Sequence, residues 1–146
     1  MSLRKIVLDT NIYIGWLNAG LHESLMIGPG SMRYLSAVVH MELRVGAATL
    51  PARRAVDHLV RGYEASGRHV EPARALFDSA GRTLRLLKDR GLEIRRASLV
   101  GDVLIAHTAR SLGATVLTSD QDFRAISSVL DFELDMVCSA PDDNVR

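Results

Sequence analysis

Apolar positions along this chain fall into two patterns, short continuous runs and longer stretches at helical spacing, and the two alternate. Lys5-Ile6-Val7-Leu8 is a run of the first kind and predicts a strand buried on both faces, as in parallel sheets. Thr10–Leu17 follows as a helix with Asp9 at its cap. Gly28-Pro29-Gly30 interrupts the chain, Tyr34-Leu35-Ser36-Ala37 predicts a second strand, and a helix runs through Val38–Ala48. Pro51 suits the first turn of a helix whose apolar positions are Ala52, Ala55, Val56, Leu59, Val60 and Tyr63, ended by Ser66-Gly67. His69-Val70-Glu71 is a short third strand. Pro72 opens a long helix with Ala73, Leu76, Phe77, Ala80, Leu84 and Leu87 as its stripe, stopped at Gly91. Ser98 is placed to cap an almost wholly apolar helix, Leu99–Leu112, closed by Gly113. Ala114–Thr118 and Leu134–Val137 complete the strands, and Pro141–Arg146 is a polar tail expected to fray. Strands alternating with helices imply an α/β sandwich around a parallel sheet.

The 146 residues suit one domain spanning 1–146, with its core over about 4–137 and one hydrophobic centre. No apolar run approaches the length that crosses a bilayer, and the N-terminus lacks a signal-peptide pattern, so no membrane is expected. Cys138 is the only cysteine, which excludes an intrachain disulfide and suits a reducing cytoplasm; a buried position in the last strand is its expected role. The net charge of +1 conceals an asymmetry: residues 44–96 carry 12 Lys/Arg against 6 Asp/Glu, and the remainder 6 against 11. A basic middle beside an acidic remainder suggests an anionic partner on one face and a cation held by the other, although Arg-rich solvated helices would look the same.

Four acids stand out by their surroundings. Asp9 and Asp120 follow strands and precede helices, where capping alone would explain either one. Glu42 has Val38, Val39, Val45 and Gly46 at helical spacing, so its carboxylate requires a partner, a cation such as Arg44 or a metal. Asp102 falls in the first turn of the apolar helix, amid Leu99, Val100, Val103 and Leu104. Two of the four come from strand ends and two from helices packed on the sheet, so a parallel sheet brings all of them to one edge. Carboxylates gathered in this way repel one another unless a hard cation joins them. An all-oxygen set points to Mg²⁺ or Mn²⁺ rather than zinc. His22, His40, His58, His69 and His107 are scattered singly and read as packing or surface residues.

Val7-Leu8-Asp9-Thr10-Asn11, Glu42-Leu43-Arg44-Val45-Gly46, Asp102-Val103-Leu104-Ile105-Ala106 and Thr118-Ser119-Asp120-Gln121-Asp122-Phe123 resemble, in order, the four signature blocks of PIN-domain nucleases. Length and helix pattern are most similar to the VapC-type toxins of bacterial toxin–antitoxin pairs. The family often has Asn or Thr before the third acid; Gly101 stands there in this chain, a looser turn that removes no ligand.

The resemblance implies a three-layer α/β/α sandwich with a five-stranded parallel sheet ordered 3-2-1-4-5. It also implies endonucleolytic hydrolysis of RNA, with Asp9, Glu42, Asp102 and Asp120 holding Mg²⁺ or Mn²⁺ directly or through water. Thr10, Ser119 and Asp122 are the outer-shell candidates, and a homodimer bound by a small antitoxin is the expected assembly. Arg53, Arg54, Arg61, Arg82 and Arg85, on the two basic helices, are the candidates for tracking an RNA backbone.

Two other functions fit parts of this pattern. One is a catalytically idle PIN-type RNA-binding module. The other is an aspartyl phosphatase or phosphotransfer domain with Asp9 as nucleophile. Phosphatases of that kind want a second acid two residues on, where Asn11 stands, and the chain's lysines, Lys5 and Lys88, are misplaced for a phospho-accepting regulator.

Overall fold

The computed structural model describes residues 3–93 and 97–138. Five strands, β1 (Arg4–Leu8), β2 (Ser31–Ser36), β3 (His69–Val70), β4 (Thr115–Thr118) and β5 (Glu133–Met136), form one parallel sheet in the order β3-β2-β1-β4-β5. Seven helices flank it: α1 (Thr10–Ala19), α2 (Glu23–Ile27), α3 (Ala37–Gly46), α4 (Leu50–Ala65), α5 (Arg74–Asp89), α6 (Ala97–Leu112) and α7 (Asp122–Ser127). This is the expected α/β/α sandwich, with the expected strand order.

The register fixes the site. β1 lies between β2 and β4, with Val7 opposite Tyr34 on one side and Val116 on the other. Ile6, Val7 and Leu8 are essentially inaccessible, as a strand covered on both faces requires. The chain leaves β1 toward β2 and returns on the other side as β4, so the strand order reverses between them. Open α/β sheets form a crevice at the carboxyl ends of such a strand pair. Asp9 follows β1 there, and Asp120 follows β4.

Local chemistry accounts for most helix ends. Asp9 caps α1 through its own carboxylate, Ser36 caps α3 by accepting from the Val38 N–H, and Thr49 caps α4 by accepting from Ala52. Gly20, Gly67, Gly91 and Gly113 take positive φ just beyond α1, α4, α5 and α6, the left-handed turn that ends a helix cheaply only at glycine.

Several expectations are corrected. The five-residue α2 went unread because it is too short to show a helical period. β2 begins at Ser31, earlier than its apolar residues suggest, because backbone pairing with β1 starts at Arg4 and Lys5. Helix α5 starts at Arg74, beyond Pro72. It buries Ala80, Thr83 and Leu87 and leaves Phe77 56% exposed, so its inward face is rotated from the predicted stripe. Thr83 faces in because it shares a 2.8 Å hydrogen bond with His107 on α6. Ser98 lies inside α6, not at its cap, and residues 94–96 just before the helix are outside the described set. Asp102 is therefore beyond the first turn, and dipole stabilisation does not explain it. Cys138 is exposed just after β5, not buried within it. The tail 141–146 lies outside the described residues.

Candidate metal centre

Asp9 is 4% exposed and is held on both carboxylate oxygens. Oδ1 accepts from the Thr10 N–H at 2.8 Å, and Oδ2 accepts from the Thr118 hydroxyl at 2.7 Å. Thr118 is the last residue of β4 and fully buried; its Oγ1 also accepts from the Asp120 N–H at 3.0 Å and from Asn11 Nδ2 at 3.5 Å. One hydroxyl thus ties the ends of β1 and β4 together. Asp120 Oδ1 in turn accepts from the Asp122 N–H at 2.9 Å, fixing the turn into α7.

Asp102 reaches this edge from α6. It is 3% exposed, and its Oδ2 is buried with no hydrogen-bond partner among the described residues. One carboxylate oxygen from each of Asp9, Asp102 and Asp120 lies within 4.8 Å of the others. Glu42 stands beside this triad rather than in it. Its Oε2 accepts from the Thr10 hydroxyl at 2.8 Å, and its charge bears on both Asp9 and Asp102. The cation considered for Glu42, Arg44, turns instead to Asp57 at 2.7 Å, because the α3 residue faces α4.

The electrostatics follow from this crowding. Burial, followed by the charges of Asp9, Asp120, Glu42 and Asp122, pushes the Asp102 carboxyl up to about 9. Burial also raises Asp9, to about 6; its bonds from Thr118 and Thr10 oppose the shift, and the charges of Glu42 and Asp120 add to it. An oxygen-only cluster with an unpartnered buried carboxylate oxygen is a poor resting state for a protein alone. It matches what a hard divalent cation requires, namely several anionic oxygens within a few ångströms. The residues present fit such an ion.

Of the outer-shell candidates, Thr10 and Asp122 touch the cluster. Ser119 is half-buried, and its hydroxyl makes no hydrogen bond with the described residues. Thr118 does that work one position earlier and was missed; its signal was its place at the end of a strand adjacent to β1, with its side chain on the same side as Asp9. The five candidate arginines are all exposed. Arg82 pairs with Asp78 at 3.0 Å and Arg85 with Asp89 at 3.1 Å, both along α5. Arg53 donates to the Ala48 carbonyl, and Arg54 and Arg61 on α4 make no ion pair with the described residues. The histidines are not all single: His40 Nδ1 and His69 Nε2 lie 3.0 Å apart, joining α3 to β3.

The chain belongs to the PIN domain family, whose model matches residues 6–129. No curated protein matches it. Among solved structures it is similar to a member of the VapBC family of toxin–antitoxin systems, VapBC-5 from Mycobacterium tuberculosis, with 28% identity and a TM-score of 0.64 over 91% of this chain and 98% of that one. FitAcB from Neisseria gonorrhoeae is 26% identical, with a TM-score of 0.62 over 88% and 95% of the two chains. DNA-bound VapBC from Salmonella typhimurium shares the fold at 21% identity, with a TM-score of 0.67 over 93% and 100%.

Proposed function

We propose that the chain is a divalent-metal-dependent endoribonuclease and the toxin of a toxin–antitoxin pair. The observation that carries this reading is the convergence of Asp9, Asp102 and Asp120 within 4.8 Å, with Asp102 Oδ2 unpartnered. Asp9, Glu42, Asp102 and Asp120 are the catalytic set and hold Mg²⁺ or Mn²⁺, with Thr10, Asp122 and Ser119 around them. A bound ion supplies Lewis-acid charge to the scissile phosphodiester and the attacking water. The protein's own part is positional. Thr118 locks Asp9 and the Asp120 backbone in register, and Thr10 orients Glu42. Arg54 and Arg61 on α4, with Arg53, Arg82 and Arg85, attract the RNA backbone, a contact that weakens steeply with salt.

One of the similar structures is by its own description a member of the VapBC family of toxin–antitoxin systems, which supports a small protein antitoxin as the partner of this chain too. A homodimer acting in the cytoplasm completes the proposal. No helix among the described residues is long and apolar enough to cross a membrane.

The test is cleavage of RNA by purified protein with Mg²⁺ or Mn²⁺, with chelator, and with Asp9→Asn. Activity should vanish on chelation and fall by about a hundredfold or more in the variant, as loss of electrostatic stabilisation at a reacting phosphate implies. Full activity in chelator overturns the metal proposal. No cleavage under any condition, with RNA still bound, would leave a PIN-type binding module.

A further inference from the structure

A second feature lies away from the acidic edge. Helices α1, α2 and α4, strand β2 and the turn before β3 border an open pocket of about 330 Å³ whose lining includes Trp16, Met26, Arg33, His58, Tyr63 and Arg68. Arg33 pairs in register with Ile6, upstream of Asp9 on the neighbouring strand, and none of the four site acids lines this pocket. Among the described residues no Asp or Glu lines it. Two guanidinium groups and an imidazole therefore share one cavity with no carboxylate between them.

The two arginines differ in how they are held. Arg33 is fixed by donating to the carbonyls of Leu25 and Gly28, the latter at 2.6 Å, which closes α2 against β2. Arg68 makes no side-chain hydrogen bond with the described residues, and its Nε is buried without an acceptor. An orphaned buried N–H of a charged group costs more than a neutral one, and such groups call for an acceptor from outside the chain. Arginine's planar fork suits phosphate oxygens. Trp16 and Tyr63 add aromatic rings to the same wall, and a base can stack on an aromatic face whatever its identity. The volume is at the lower end of small-ligand pockets, about 300–1,000 Å³.

We propose that this pocket binds a nucleoside monophosphate unit, its phosphate at Arg68 and Arg33 and its base against Trp16. The unit comes either from a free nucleotide or from one residue of a bound RNA. Only the second source rests on the ribonuclease reading. Occupancy sets a phosphate against the Arg68 guanidinium, which has no acceptor among the described residues, and places a negative group where the lining is only positive.

Trp16 is the only tryptophan, so its emission reports this pocket directly. The experiment titrates the full chain, in chelator, with adenosine monophosphate, adenosine, inorganic phosphate and a short RNA oligonucleotide. The expected result is a saturable change with the monophosphate, at least about tenfold weaker with adenosine, as loss of charged hydrogen bonds implies. Arg68→Gln should weaken binding by a similar factor, and His58→Gln on the exposed side of α4 should weaken it without touching Arg68's backbone bonds to Tyr63 and Leu35. Asp9→Asn should leave the response to adenosine monophosphate unchanged, because Asp9 does not line this pocket, which separates it from the acidic site and from the fate of the nuclease reading. A saturable response to RNA alone, lost in Arg68→Gln, identifies RNA as the source. The proposal is overturned if neither monophosphate nor RNA gives a saturable change, if adenosine binds equally well, or if both variants bind like the parent.

Discussion

Gly101 leaves the space that the Glu42 carboxylate fills: a Cβ built on it would lie 2.8 Å from Glu42 Oε1 and 3.3 Å from Val38 Cγ1. The hydrogen atom at position 101 is what allows α3 and α6 to approach with an acid between them. Glu42 is held there by the Thr10 hydroxyl, which itself sits on the residue after Asp9.

Gly101→Ala should therefore separate stability from metal response. The new methyl displaces the flexible end of Glu42 and breaks its bond to Thr10. The helix itself gains, since Ala is favoured over Gly by about 0.8–1 kcal/mol in a helix interior. Thermal melts should show a metal-free variant as stable as the parent or more so, with a smaller shift on adding Mn²⁺. An undiminished Mn²⁺ shift would mean that Glu42 takes no part in holding the ion.

Thr118→Val tests the tie between the two central strands. The substitution keeps the shape but removes the donor to Asp9 Oδ2 and the acceptor for the Asp120 N–H. Leaving buried polar groups unsatisfied costs about 1–3 kcal/mol. A loss of that order in denaturant unfolding is expected, together with weaker metal binding. Thr118→Ser should recover most of both, because it restores the hydroxyl. Equal stability of all three proteins would show that the tie carries no energy.

The sequence made some of this legible and concealed the rest for physical reasons. Strand β1 was readable from its continuous apolar run, and Asp9 from its place at the end of that strand together with the other three acids, since capping α1 would by itself have explained it. Glu42 and Asp102 were readable as carboxylates within apolar helices. Thr118 was not, since a threonine at a strand end is ordinary until its neighbours across the sheet are known. The inward turn of Thr83 was hidden likewise, because its partner His107 is on another helix. Charge counting marked α5 as basic, and the structure adds that Arg82 and Arg85 each lean on an exposed acid one turn away, Asp78 and Asp89, so part of that charge is shared within the helix. The pocket around Arg68 gathers residues from five segments and has no linear signature.

Metal binding should release protons. With the Asp102 pKa at about 9 and that of Asp9 at about 6, Asp102 is protonated in the metal-free protein at neutral pH. A divalent ion requires the carboxylate, so it expels that proton. Calorimetry of Mn²⁺ binding at pH 7 in buffers of different ionisation enthalpy should give a proton release approaching one per site. Apparent affinity should rise with pH and level off near 9. Affinity independent of pH between 6 and 8 would contradict the raised carboxyl.

The same shifts predict how the metal-free protein responds to pH. Both carboxyls have folded-state pKa values above the ordinary 3.8. Below 3.8 both states hold their protons and the cluster costs nothing. As pH rises past that point the unfolded chain ionises first, and stability falls. The Asp9 contribution to this loss is complete above about 6, and the Asp102 contribution grows until about 9. Asp102→Asn removes the larger part. Its amide adds a donor in a cluster that otherwise holds only the carboxylates of Asp9 and Asp120 beside it. The variant should melt at nearly the parent temperature near pH 4 and above it by a widening margin up to pH 8, all without metal. Adding Mg²⁺ should then stabilise the parent more than the variant, because only the parent presents the third carboxylate. If Asp102 served only to pack α6, the substitution would lower the melting temperature at every pH and leave the Mg²⁺ response alone. Melting curves of the two proteins across that range, in chelator and in Mg²⁺, decide between a charged cluster and a structural acid.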